Sequence, residues 1–164
     1  MAGKERRKFL RYDTAMKIYY RVNYDIKTKV KFQLLDIEKQ KRASRRYSGL
    51  TKNISIEGLG FISKKKLAKG DVVFLEVFVP NVKVHVRMTG EIRWSRKIKE
   101  NARGKNLYRS GVKLLSANGK AVNKSIHFDK KYKVAWSVVL EEVFGNFKKM
   151  ARKLRKKKLN LKED

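Results

Sequence analysis

Three arginines, Arg6, Arg7 and Arg11, stand near the start of the chain in the stretch RRKFLR. A guanidinium fork meets phosphate oxygens or the O6/N7 edge of guanine with paired hydrogen bonds, and it stacks on π faces. Lysine supplies charge but neither of the other two. A second set lies in TKNISIEGLGFIS. On a strand, Asn53 and Ser55 share one face and can hydrogen-bond one ligand, while Ile54 points into the core. Gly58 permits a positive φ or a close backbone approach. Taken singly, each set has a plain reading. The arginines suit a solvated basic tail, and Asn53, Ser55 and Gly58 suit a hairpin turn.

Other chemistries find little support. There is no cysteine, hence no disulfide or thiolate. His85 and His127 are far apart without ligand spacing around them, so no metal site is expected. Glu141 and Glu142 are adjacent and diverge on a helix, which does not make a catalytic pair. No serine occupies a nucleophile motif, and no glycine loop is built for nucleoside triphosphates. The expectation is a binding protein without cofactor, not an enzyme.

The elements that must position these residues follow from periodicity. The 164 residues are 41% hydrophobic, enough for one globular core. TAMKIYYRVNY (14–24) and TKVKFQLL (28–35) alternate like half-buried strands. Residues 36–48 read as a charged loop. GLTKNIS and GLGFIS form two short strands around Ile56–Glu57. VVFLEVFVP (72–80) is strongly β-prone and ends at the only proline. In 82–98 Val82, Val84, Val86 and Met88 share a face, and Gly90 suggests a bulge. LYRSGVKLL (107–115) is a further strand. From Tyr132 the spacing turns helical, with Val134, Trp136, Val139, Leu140, Val143, Phe144, Phe147, Met150 and Leu154 in one stripe. Gly145 allows a bend, and residues 148–158 carry eight Lys/Arg.

The order Glu-Arg-Arg, strand, Asn-x-Ser-x-x-Gly, then β-rich sequence resembles the signature of the PilZ domain, a bacterial cyclic di-GMP receptor in second-messenger signalling. Arg7-x-x-x-Arg11 and Asn53-x-Ser55-x-x-Gly58 carry the likeness over roughly residues 5 to 116. A second Arg-x-x-x-Arg, at Arg42 and Arg46, has no strand between it and Asn53 and fits less well. The resemblance implies a mainly β fold: a six- to seven-stranded antiparallel PilZ-type barrel with a long C-terminal α-helix. The expected divisions are a flexible arginine-bearing tail (1–11), the barrel (12–116) and a basic amphipathic helix (117–164).

The resemblance further implies a cyclic di-GMP site of Arg6, Arg7, Arg11, Asn53, Ser55 and Gly58, with Trp94 as a stacking candidate. Arg7 and Arg11 would close over the ligand. Arg6, just before the pair, implies two intercalated ligand molecules per protomer. Many members of the family carry Asp where this chain has Asn53, so its bond to a guanine N–H is weaker here.

Two such ligands bring four negative charges, far short of the formal +29. An anionic membrane surface or nucleic acid at the basic C-terminal helix, an unknown downstream protein and a homodimer are the other partners considered. No apolar run reaches the roughly 18 residues of a membrane span, and no signal peptide is visible. The expected compartment is the cytoplasm, with peripheral attachment at the inner membrane as an extension. The competing readings are a basic nucleic-acid-binding barrel and a degenerate PilZ adaptor that binds only protein.

Overall fold

Strict alternation is clearest in VVFLEVF. Val73, Leu75 and Val77 are fully buried, while Phe74, Glu76 and Phe78 face outward. Strands of this kind close into a barrel in the computed structural model, which describes residues 22–36, 41–42, 45–80, 83, 85–100, 104–131 and 134–145.

The strands are β1 (Tyr24–Asp25), β2 (Lys29–Asp36), β3 (Lys41–Arg42), β4 (Tyr47–Ile54), β5 (Gly58–Ser63), β6 (Val72–Phe78), β7 (His85–Glu100), β8 (Asn106–Ala117) and β9 (Lys120–Ala121). Six of them pair antiparallel in the circuit β2–β4–β5–β8–β7–β6 and back to β2. Closure removes the unpaired edges that strands this apolar would otherwise expose. β1 flanks β4, while β3 and β9 extend β2 and β8. Of the strand expected over 14–24, only Val22 to Tyr24 lies within the described residues. The loop expected over 36–48 contains β3 and the start of β4.

Inside the barrel, Phe61 packs on Phe32 with ring centroids 4.9 Å apart, among Ile54, Leu75, Met88 and Ile92. Each such side chain contributes roughly 1.5–3 kcal/mol on full burial. Thr51 is one of the buried polar residues, with Ser63, Ser110 and Ser137. Its hydroxyl donates to the Ile26 carbonyl at 2.6 Å and accepts from the Thr28 N–H at 2.9 Å, which ties the β1–β2 link to β4.

The region after the barrel departs from the expected long helix. Residues 122–125 form a single helical turn, α1 (Val122–Ser125). Strands β10 (His127–Asp129) and β11 (Val134–Trp136) pair antiparallel, so Val134 and Trp136 belong to a hairpin rather than a helical stripe. Ser137 is extended, and only then does α2 (Val138–Phe144) begin. It ends after seven residues at Gly145, whose φ of 78° leaves the helical region and whose N–H bonds the Glu141 carbonyl. Phe147, Met150, Leu154 and the basic run lie outside the described residues. Among the described residues no helix is long and apolar enough to cross a membrane.

Candidate functional site

Two β-bulges place side chains on the outer surface that regular pleating would turn inward. Between Thr51 and Asn53 the β4–β5 register slips, with Lys52 as the extra residue. Thr51 is buried, yet Asn53, two residues on, faces outward over Gly60. Between Ile92 and Trp94 the β7–β8 register slips in the same way, with Arg93 as the extra residue. Ile92 is fully buried while Trp94 is 41% exposed. Each bulge reverses the inside–outside parity of its strand at one point.

The outcome is a row across four strands: Asn53, Gly60, Gly111 and Trp94 are successive register partners. Two strands, β5 and β8, separate Asn53 from Trp94. Glycines on the two intervening strands let the flanking side chains lie flat on the sheet, and both are buried, Gly60 beneath Asn53 and Gly111 beneath Trp94. A Cβ at Gly60 would lie 2.7 Å from Asn53 Oδ1, and one at Gly111 would fall within the Trp94 indole.

Beside this row the chain turns from β4 into β5. Ser55 N–H donates to the Gly58 carbonyl at 2.9 Å, and Gly58 N–H donates to Ser55 Oγ at 3.1 Å. Ile56 turns inward and is 2% exposed, and the Glu57 carbonyl accepts from Leu114 N–H at 2.7 Å. Gly58 is not at positive φ. Its role is close approach, since a Cβ there would sit 3.0 Å from Ser55 Oγ.

The row and the turn line one side of a cleft of about 540 Å³. Asn53, Ser55, Gly58 and Trp94 all reach it, which brings together the four expected residues that the structure describes. Arg6, Arg7 and Arg11 lie outside the described residues. Asn23, immediately before β1, also lines the cleft, so the chain joins the barrel at the cleft's rim. The other Arg-x-x-x-Arg is engaged elsewhere: Arg46 Nη2 pairs with Glu76 Oε1 at 2.8 Å.

Sequence reasoning missed Arg93, Arg109, Gly60 and Gly111, all of which line the cleft. Arg109 faces outward from β8, and its Nε is enclosed without a hydrogen-bond partner among the described residues. The Arg96 guanidinium stacks 5.1 Å from the Trp94 ring centroid. Apart from the glycines in GLG and RSG, the sequence carries no signal for this assembly, which depends on pairing between distant strands. The cleft is therefore a cationic surface with one aromatic platform laid flat over Gly111 and hydrogen-bonding groups at its far side. Such a surface suits a planar, anionic, base-bearing ligand.

The two helix carboxylates have structural partners: Glu141 accepts from Trp136 Nε1, and Glu142 from Asn118 Nδ2, each at 2.9 Å. His85 Nε2 lies 3.6 Å from Glu76 Oε2. No group of three or more His, Asp or Glu side chains among the described residues could hold a metal ion.

Comparison with known proteins bears on this site. Among solved structures, the chain is similar to the inhibitor of motility MotI/DgrA of Bacillus subtilis, with 14% identity, TM-score 0.41, 58% of this chain and 41% of that chain covered. It is also similar to the PilZ domain of YcgR from Escherichia coli, solved with c-di-GMP, with 14% identity, TM-score 0.40, 58% of this chain and 78% of that one covered. The match thus spans less than half of the MotI/DgrA chain. No curated protein matches the sequence. The family model for the PilZ domain matches residues 5–128, three quarters of the chain and all of the cleft, and the chain therefore belongs to the PilZ domain family.

Proposed function

We propose that this protein is a cyclic di-GMP receptor that holds its ligand in the cleft between Asn53 and Trp94. The observation that carries the reading is the register row Asn53–Gly60–Gly111–Trp94 beside the Ser55–Gly58 turn. A guanine entering the cleft meets a hydrogen-bonding side chain at one end of the row and the face of an indole at the other. Asn53 offers its amide to the base edge, and Ser55 keeps its turn in shape. Arg93 and Arg109 bring positive charge toward the phosphates.

Arg7 and Arg11 complete the site by closing over the ligand. Arg11 lies twelve positions before Asn23 at the rim, a reach of at most about 43 Å, ample for the return. Arg6 adds the donor for a second, intercalated ligand molecule. The occupied surface then engages a downstream protein, and the protein acts as a receptor rather than an enzyme.

Isothermal titration with cyclic di-GMP tests the reading. Saturable heat with two ligands per protomer is expected, and absence of heat would remove the proposal. One ligand per protomer would remove only the role of Arg6. A second reading draws on the same exposed Trp94 with its arginines, which equally suit stacked single-stranded nucleic acid. Binding of random single strands at physiological salt, unaffected by Arg7→Ala, would favour that reading instead.

A further inference from the structure

The C-terminal helix is fastened to both segments that build the cleft. At its start, Ser137 is 1% exposed, and its hydroxyl donates to the Ile56 carbonyl at 2.5 Å. Ile56 is the inward residue of the Ser55–Gly58 turn, 81 positions earlier in sequence. At the other end of α2, the Phe144 ring lies 5.3 Å from that of Tyr24. Tyr24 pairs with Ile54, and its neighbour Asp25 pairs with Asn53. β1 is also where the segment carrying Arg6, Arg7 and Arg11 joins the barrel. One seven-residue helix thus backs the motif turn with its first end and the entry strand with its last.

Isolated helices shorter than about 12–15 residues are marginal in water. The helical form of α2 therefore depends on its seat, where Val138, Val139, Leu140 and Val143 are buried against β8 and α1. If α2 leaves, the buried Ile56 carbonyl loses its donor and the Ser55–Gly58 turn loses its backing. A ligand that favours the closed turn must then favour the seated helix, and the reverse holds by reciprocity of linkage.

We infer that occupancy of the cleft is coupled to the seating of α2, which makes α2 the element that passes ligand binding on to the chain beyond Gly145. This rests on the proposed cyclic di-GMP site. The eight Lys/Arg of residues 148–158 follow directly in sequence, so the output is a change in how a cationic segment is presented.

Hydrogen–deuterium exchange of the full chain, paired with calorimetry, tests the coupling. Saturating cyclic di-GMP is expected to slow exchange of peptides covering 138–145 by about 5-fold or more, the lower end of typical coupling. In the ligand-free protein, Ser137→Ala is expected to speed exchange both in 138–145 and at the Gly58 and Leu114 amides. Phe144→Ala, at a half-buried position, provides the same comparison if Ser137→Ala fails to fold. Heat on titration with no change over 138–145 would overturn the coupling and leave the receptor reading intact. No heat would overturn the receptor reading. In that case the ligand-free variants still decide whether turn and helix are joined, and an unchanged turn would overturn that too.

Discussion

The indole of Trp94 covers Gly111 on the adjacent strand so closely that no other residue fits beneath it. The glycine thus holds the ring flat, and the Arg93 bulge turns it outward. Trp94→Ala should weaken cyclic di-GMP binding by roughly 1–3 kcal/mol, or about 5- to 150-fold. Gly111→Ala, which lifts the ring, should act in the same direction. Calorimetry gives the affinities, and fluorescence reports the ring, because the other tryptophan, Trp136, is fully buried away from the cleft. Unchanged affinity in Trp94→Ala would assign the indole a packing role.

Ser55→Ala removes the acceptor of the Gly58 N–H. The expected loss is about 0.5–1.5 kcal/mol of stability, a fall of a few degrees in Tm, together with weaker ligand binding. Thermal melting with and without cyclic di-GMP separates the two effects. The ligand-induced rise in Tm should shrink more than the ligand-free Tm.

Arg109→Met tests a cleft arginine whose enclosed Nε has no partner among the described residues. Hydrogen bonds to charged groups contribute about 1.5–3 kcal/mol, so ligand affinity should fall by about 10-fold or more. Removing an unpaired donor should leave ligand-free stability unchanged or slightly raised. The opposite pattern, lost stability with intact affinity, would make Arg109 a structural residue.

Phe61→Ala tests the barrel core. Phe61 is fully buried against Phe32, and the substitution should cost roughly 3–5 kcal/mol in denaturant unfolding. Leu50→Ser, at a position 62% exposed, should stay within about 0.5 kcal/mol of the parent.

The barrel was legible wherever alternation was unbroken, as in β2 and β6, because one buried face forces a period of two. The Asn53–Ser55–Gly58 turn was legible because its residues are close in sequence. The rest of the cleft was not. Gly60, Gly111 and Trp94 meet only through strand register, and the bulges at Lys52 and Arg93 break the very parity that sequence reading relies on. Gly90 did signal an irregularity, but the extra residue is Leu115 on the partner strand. The C-terminal helix was overextended because Val134 and Trp136 happen to fit a helical stripe. A short apolar run does not distinguish helix from strand, and the hairpin with β10 decides it.

The site's two halves are joined in one experiment: calorimetric titration of the parent, Arg7→Ala, Arg11→Ala, Asn53→Ala and, as a control, Arg46→Ala. Arg46 is paired with Glu76 and lines no part of the cleft. The account predicts saturable binding to the parent and to Arg46→Ala, at least about 10-fold weaker binding in Arg7→Ala and Arg11→Ala, as loss of a charge-assisted contact requires, and about 2- to 10-fold weaker binding in Asn53→Ala, whose contact is neutral. No binding to the parent, or equal affinity across the series, would contradict it.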